Sequence, residues 1–283
     1  MSATPAVQTA TPPPAAEPVT DPPAAAQARP VIEARGLTRR FGSVEAVKDL
    51  DLTVREGELY GFLGTNGAGK TTTMRMLCGL LRPTKGEIRI DGKSYADKSR
   101  EIRKLIGYVP DTPPLYEYLT GRQYIGFVAS LYGIPTRARD DEGDRLLELF
   151  GLADRADQLC KGYSHGMKKK LHIAAVLVTR PKVLLMDEPT TGLDPRSART
   201  LQDTLRRFCD EGATILLSTH LLHTAENICD RVGIIDRGSF RAEGTMDDLR
   251  GIGRQESLED IFLRLTEEAA EEQADADEIA PQG

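Results

Sequence analysis

Gly64-Thr65-Asn66-Gly67-Ala68-Gly69-Lys70-Thr71 is the stretch on which the reading of this chain turns. It fits G-x-x-x-x-G-K-[ST], the phosphate-binding loop (P-loop) pattern. The strand-like run ELYGFL (58–63) precedes it and the helix-like run TTMRMLCGLL (72–81) follows, which is the context that pattern requires. Glycines let the backbone bend so that several N–H groups face one point. A helix beginning there adds roughly half a positive charge at its N-terminus. Lys70 is suited to neutralising β- and γ-phosphates, and the Thr71 hydroxyl to ligating Mg²⁺. Alone, the stretch implies only that a nucleoside triphosphate binds.

Outward from this loop, short apolar runs alternate with helical patterns. The runs 57–63, 87–90, 183–186 (VLLM), 214–218 (TILLS) and 232–235 (VGII) read as strands. Strands apolar on both faces suit a mostly parallel, buried sheet. From about Pro113 to Leu177 the pattern is helical. Thr120 is a plausible N-cap for a helix carrying Ile125, Phe127, Val128 and Leu131, and 145–150 is a second helical stretch. Ser257 can cap a helix with Leu258, Ile261, Phe262 and Leu265 on one face. Residues 1–30 are mostly Ala, Pro and Thr and read as a disordered tail. Residues 266–283 read as an acidic one.

Composition narrows the partners. With 37 Lys and Arg against 43 Asp and Glu, the net charge is −6, the wrong sign for a surface that grips nucleic acid. No apolar run approaches the ~20 residues that span a bilayer, and no signal-peptide pattern opens the chain, so a cytosolic protein is expected. Cys78, Cys160, Cys209 and Cys229 are scattered without CxxC spacing and read as buried hydrophobes rather than a zinc or disulfide framework.

A second motif is VLLMDEP, residues 183–189. A buried strand ends in two adjacent carboxylates, which strand alternation would point in different directions. Asp187 is placed to hold Mg²⁺ and Glu188 to polarise an attacking water. Between the two motifs lies YSHGMKKKL, residues 163–171, which on its own reads as a helix N-cap, Ser164, followed by a basic helix. The run 168–170 reads as a solvated face.

In this segment the chain resembles the ATP-binding cassette (ABC) family, whose signature L-S-G-G-Q lies shortly before the second carboxylate motif. Ser164 and Gly166 match it; Tyr163, His165 and Met167 depart from it. The form Y-S-x-G-M is similar to the branch serving drug, sodium or polyketide export. Gly192-Leu193-Asp194-Pro195 resembles the D-loop, His220 after Ser218-Thr219 the switch histidine, and Phe41 with Ala46 and Val47 the aromatic loop on which adenine stacks. After Ile106-Gly107-Tyr108-Val109-Pro110 the family usually has Gln; here Asp111 stands, an acid that can face Mg²⁺ but adds negative charge near the phosphates.

The resemblance spans about residues 31–265. It implies an α/β P-loop NTPase (RecA-like) core with a mostly parallel sheet, a β-rich N-terminal part and an inserted helical subdomain at about 113–177. It implies ATP and Mg²⁺ as cofactors and ATP hydrolysis as the activity. Lys70, Glu188 and His220 would be catalytic. Phe41, Val47, Asn66, Gly67, Ala68, Gly69, Lys70, Thr71 and Thr72 would bind nucleotide, with Ser164 and Gly166 doing so from a second cassette. Thr71, Asp187 and Asp111 would face the metal. The implied partners are a transmembrane permease and a second cassette, either a copy of this chain, the favoured case, or a different one, at the cytoplasmic face of a membrane, without nucleic acid. The segment after Asp111 would receive the permease. Two other readings compete: a non-transport ABC ATPase acting on ribosomes or DNA, and a regulatory binder that has lost hydrolysis.

Overall fold

The computed structural model describes residues 28–252 and 257–265. Most of the two expected tails lies outside these residues, and Pro30, assigned above to the first tail, already begins a strand. Strands β1 (Pro30–Phe41), β2 (Val44–Arg55), β4 (Lys85–Ile90) and β5 (Lys93–Ser94) form an antiparallel sheet in the order β2-β1-β4-β5. A second sheet has six strands: β3 (Leu59–Leu63), β6 (Ile106–Val109), β7 (Val183–Asp187), β8 (Thr214–Thr219), β9 (Arg231–Asp236) and β10 (Ser239–Gly244). Its order is β10-β9-β3-β8-β7-β6, with only the β9–β10 pair antiparallel.

Every residue of β3, β7 and β8 is buried, because both faces of this sheet are covered. Strand alternation divides their side chains between two cores. Tyr60, Phe62, Leu185 and Leu216 pack with β1, β2 and the helix α1 (Lys70–Leu77). Leu59, Leu184, Met186, Ile215 and Leu217 pack instead with the helical insertion. That insertion comprises α3 (Gly121–Leu131), α4 (Thr136–Leu149) and α5 (His165–Leu177), the fifth helix entering the main core. Helix α2 (Tyr95–Leu105) precedes it, and α6 (Pro195–Asp210), α7 (Leu222–Ile228) and α8 (Met246–Ile252) follow.

Thr120 caps α3 in a reciprocal capping box with Gln123, which satisfies two backbone donors at that end. Ile125 points inward, but Phe127 and Leu131 do not. A helix presents only one face to the core, and these two fall on the other. At the far end, Ser257 and Asp260 exchange hydrogen bonds around the start of the helical segment 258–265, whose Leu258, Ile261 and Phe262 pack on β9. The four cysteines are unpaired, and Cys78, Cys160 and Cys209 are buried. Among the described residues no helix is long and apolar enough to cross a membrane.

His172 joins α5 to its neighbours. Its Nδ1 accepts from the Tyr124 hydroxyl of α3 at 2.7 Å, and its Nε2 faces the carbonyl of Tyr108 in β6 at 3.4 Å. Burial holds its pKa down at about 4. An unfolded chain protonates this ring near 6.5, and the folded chain refuses the proton until about 4. Stability from this group is therefore intact above pH 6.5 and lost as pH falls toward 4, by about 1.4 kcal/mol per pH unit. His172→Asn is expected to start roughly 1–3 kcal/mol less stable at neutral pH and to lack this slope. Urea unfolding of both proteins between pH 7 and 4 checks this; parallel pH profiles would refute it.

Candidate active site

The C-terminal ends of β3, β7 and β8 lie side by side because the three strands are parallel neighbours. Loops leaving those ends converge on one crevice, the usual place for a ligand in such a sheet. After β3 the chain runs through Gly64–Gly69 into α1. Gly69 has φ +109°, and a Cβ there would stand 2.6 Å from the carbonyl oxygen of Ala46, so only glycine fits. The resulting pocket is lined by Asn66, Gly67, Gly69, Lys70, Thr71 and Thr72, with Ala46 and Thr65 beside them. Asp111, Asp187 and Glu188 form its acidic wall.

Lys70 is only 6% exposed, and its ammonium donates to the carbonyls of Gly64 at 2.6 Å and Thr65 at 3.1 Å. Asp187 ends β7 and is 1% exposed. Its carboxylate accepts from the Thr71 hydroxyl at 2.7 Å and from the Ser218 hydroxyl at 2.5 Å. Ser218 lies opposite Asp187 in the β7–β8 register.

Glu188 departs from the sequence reading in how it is aimed. Strand alternation does not turn it, because β7 has already ended. Its backbone is left-handed, φ +48°, and that turn separates its side chain from Asp187. The turn is held by its N–H donating to the Ser218 carbonyl at 3.1 Å. One carboxylate oxygen, Oε2, accepts from His220 Nδ1 at 2.9 Å and from the Thr191 hydroxyl at 3.4 Å. The other, Oε1, is buried without a hydrogen-bond partner and lies 3.6 Å from the Lys70 ammonium. His220 therefore contacts the carboxylate and is not among the residues lining the pocket.

Other expected site residues stand around this centre. Phe41 closes β1, half-exposed, with the Arg39 guanidinium over its ring at 4.5 Å. Val47 is buried on β2 close to Gly69. Ala68 is buried, and its carbonyl accepts from the Gly238 N–H at 2.9 Å. Ser164 caps α5 and Gly166 lies in its first turn against the Gly192 carbonyl; neither lines the pocket. Asp194 caps α6 through the Ser197 N–H at 2.9 Å.

The basic run 168–170 is a solvated face only in part. Lys168 and Lys170 are partly exposed, as a solvated face requires, but Lys169 is fully buried. It donates to the carbonyls of Glu188 at 2.7 Å and Thr191 at 2.9 Å and to Asp111 at 3.1 Å. The signal was present: Lys169 precedes His172 by three and Ile173 by four, so all share the inward face of α5.

Comparison with known proteins agrees with this geometry. A family model described as ABC transporter matches residues 47–191. The chain is 40% identical over 248 residues to the daunorubicin/doxorubicin resistance ATP-binding protein of Streptomyces peucetius, spanning 88% of this chain and 74% of that one. It is 38% identical over 226 residues to the bacitracin transport ATP-binding protein of Bacillus licheniformis, with 80% and 73% covered. A solved ATP-binding subunit of an ABC transporter superposes with a TM-score of 0.79 at 35% identity, covering 83% of this chain and 99% of that one. A dimeric cassette bound to ADP and Pi shares the fold, with a TM-score of 0.70 at 24% identity over 76% of this chain and 98% of that one. A P-loop, a clamped aspartate and a turned glutamate on one parallel sheet, together with these likenesses, place the chain in the ABC transporter family as an ATP-binding, ATP-hydrolysing protein.

Proposed function

We propose that this chain powers export, of drug-like compounds in keeping with its relatives, by hydrolysing ATP at the cytoplasmic face of a membrane beside a separate membrane-spanning subunit. The observation that carries the catalytic part is Glu188, with one oxygen anchored by His220 and the other buried and unpartnered next to Lys70. A carboxylate so held can accept a proton from water in line with the γ-phosphate. His220 orients it and reaches toward the γ-phosphate. Lys70 and the N–H groups of the loop from Asn66 to Thr72 hold the phosphates, while Phe41 and Val47 receive the adenine. Arg39, already over one face of the Phe41 ring, leaves the other face to stack.

The hard oxygen donors of Thr71 and Asp187, 2.7 Å apart at the pocket wall, fit Mg²⁺, and Asp111 in the same acidic wall would face it as well. When bound, Mg²⁺ would neutralise charge on the β- and γ-phosphate oxygens. Ser164 and Gly166 lie off the pocket of their own chain, which agrees with the same segment of a second copy, packed head-to-tail, completing the site. A helix N-terminus capped by Ser164, with an open Gly166 backbone, suits the far side of a γ-phosphate.

Exposed aromatic and apolar side chains on the insertion support docking to the membrane subunit. Tyr116, Tyr118 and Leu131 are exposed on the insertion, and Tyr116 meets Phe127 edge-on at 5.0 Å. The non-transport reading draws no support from the net charge of −6.

Glu188→Gln is expected to keep ATP binding, to lose about 10²–10⁴-fold in phosphate release, and to elute as a dimer in saturating ATP. A protein that hydrolyses at the wild-type rate, or that stays monomeric on a sizing column, would overturn the respective part. Tagged Glu188→Gln protein drawn from detergent-solubilised native membranes with ATP is expected to bring a polytopic membrane protein in stoichiometric amount. Adding Tyr118→Asp should remove that companion and leave nucleotide affinity unchanged. Retention despite Tyr118→Asp would move the docking surface elsewhere, and recovery of ribosomal or DNA-processing proteins alone would reject transport.

A further inference from the structure

The buried lysine of α5 is unusual in what it touches. An ammonium carries three protons, and Lys169 places them on the Glu188 carbonyl, the Thr191 carbonyl and the Asp111 carboxylate. Its side chain is 0% exposed, so its charge lacks water to compensate it. Two of its partners are neutral carbonyls of the turn that carries Glu188, and that turn is left-handed at Glu188. The third, Asp111, is 52% exposed and lines the nucleotide pocket. One buried cation thus links the backbone behind the catalytic carboxylate to an acid in the pocket wall.

We propose that Lys169 is a positioning residue for Glu188 and that its charge is what makes an acid tolerable at position 111. The first half follows from geometry. Donating to carbonyls at both ends of the 188–191 turn fixes the backbone from which the Glu188 side chain projects. The second half follows from charge. Asp111 without Lys169 adds an uncompensated negative charge to a pocket that must receive a polyphosphate, and Lys169 without Asp111 is a buried, unneutralised ammonium, which destabilises the fold. Each residue is acceptable only with the other, so the two behave as a unit. This rests on the reading that the pocket binds ATP.

The test measures equilibrium binding of a fluorescent ATP analogue with EDTA and with Mg²⁺, nucleotide-free thermal unfolding, and kcat and KM. Wild-type binding is the control: if it binds no nucleotide, the pocket reading fails and not the pairing. Lys169→Gln is expected to weaken metal-free binding at least about tenfold, with the loss shrinking to about threefold in Mg²⁺. It should also lower kcat at least about tenfold with little change in KM, because the Glu188 turn loses its anchor. Adding Asp111→Asn should restore metal-free binding without restoring kcat. Asp111→Asn alone should lower the nucleotide-free melting temperature by several degrees, a loss that adding Lys169→Gln largely recovers. Should Lys169→Gln alone not fold, soluble double-substituted protein would still report the pairing through its melting temperature and binding. Additive losses in stability, unchanged metal-free affinity in Lys169→Gln, or a double substitution that also fails to fold would each overturn the proposal.

Discussion

The Asp187 carboxylate sits at the end of a buried strand with almost no access to water, and the site is built around keeping it there. A buried carboxylate needs hydrogen-bond donors or an opposing charge. Here two hydroxyls supply donors, one from α1 and one from β8. Those two bonds tie the P-loop helix to the central strands β7 and β8. They also set the distance between the loop 64–69 and the acids of the pocket wall. The parallel register does the rest, since it brings Ser218 level with Asp187.

Glu188, one residue later, is governed by a different constraint. A non-glycine residue in the left-handed region costs about 1–3 kcal/mol and persists only where its surroundings over-determine it. Three contacts do so here: its N–H on the Ser218 carbonyl, its own carbonyl under the Lys169 ammonium, and its carboxylate on His220. They come from β8, α5 and the segment after β8. The two adjacent carboxylates therefore differ in environment: Asp187 has a hydroxyl donor on each oxygen, and Glu188 keeps one oxygen without any.

The two faces of the central sheet divide the labour. The antiparallel sheet covers one face and brings Ala46 and Val47 close to Gly69, so that side of the pocket comes from the N-terminal strands. The helical insertion covers the other and sends α5 inward, so Lys169 and His172 reach the ends of β7 and β6. The same insertion leaves Tyr116, Tyr118 and Leu131 exposed on its outer side.

How much of this was legible in the chain itself varies by residue type. The loop 64–71 and the motif 183–189 announced their elements, because a P-loop needs glycines at set places and a two-sided strand needs an unbroken apolar run. Thr120 and Ser257 announced helix starts for a similarly local reason. Glu188's turn was not legible, since a left-handed glutamate has no composition cue and depends on a carbonyl 30 residues away. Lys169 was half-legible: its spacing from His172 and Ile173 marked an inward face, but a lysine's charge argues for water until its three partners are known. Local conformational needs are written in neighbouring residues. Which buried charge meets which distant acceptor is decided only when the sheet assembles, because those partners come from separate strands and helices.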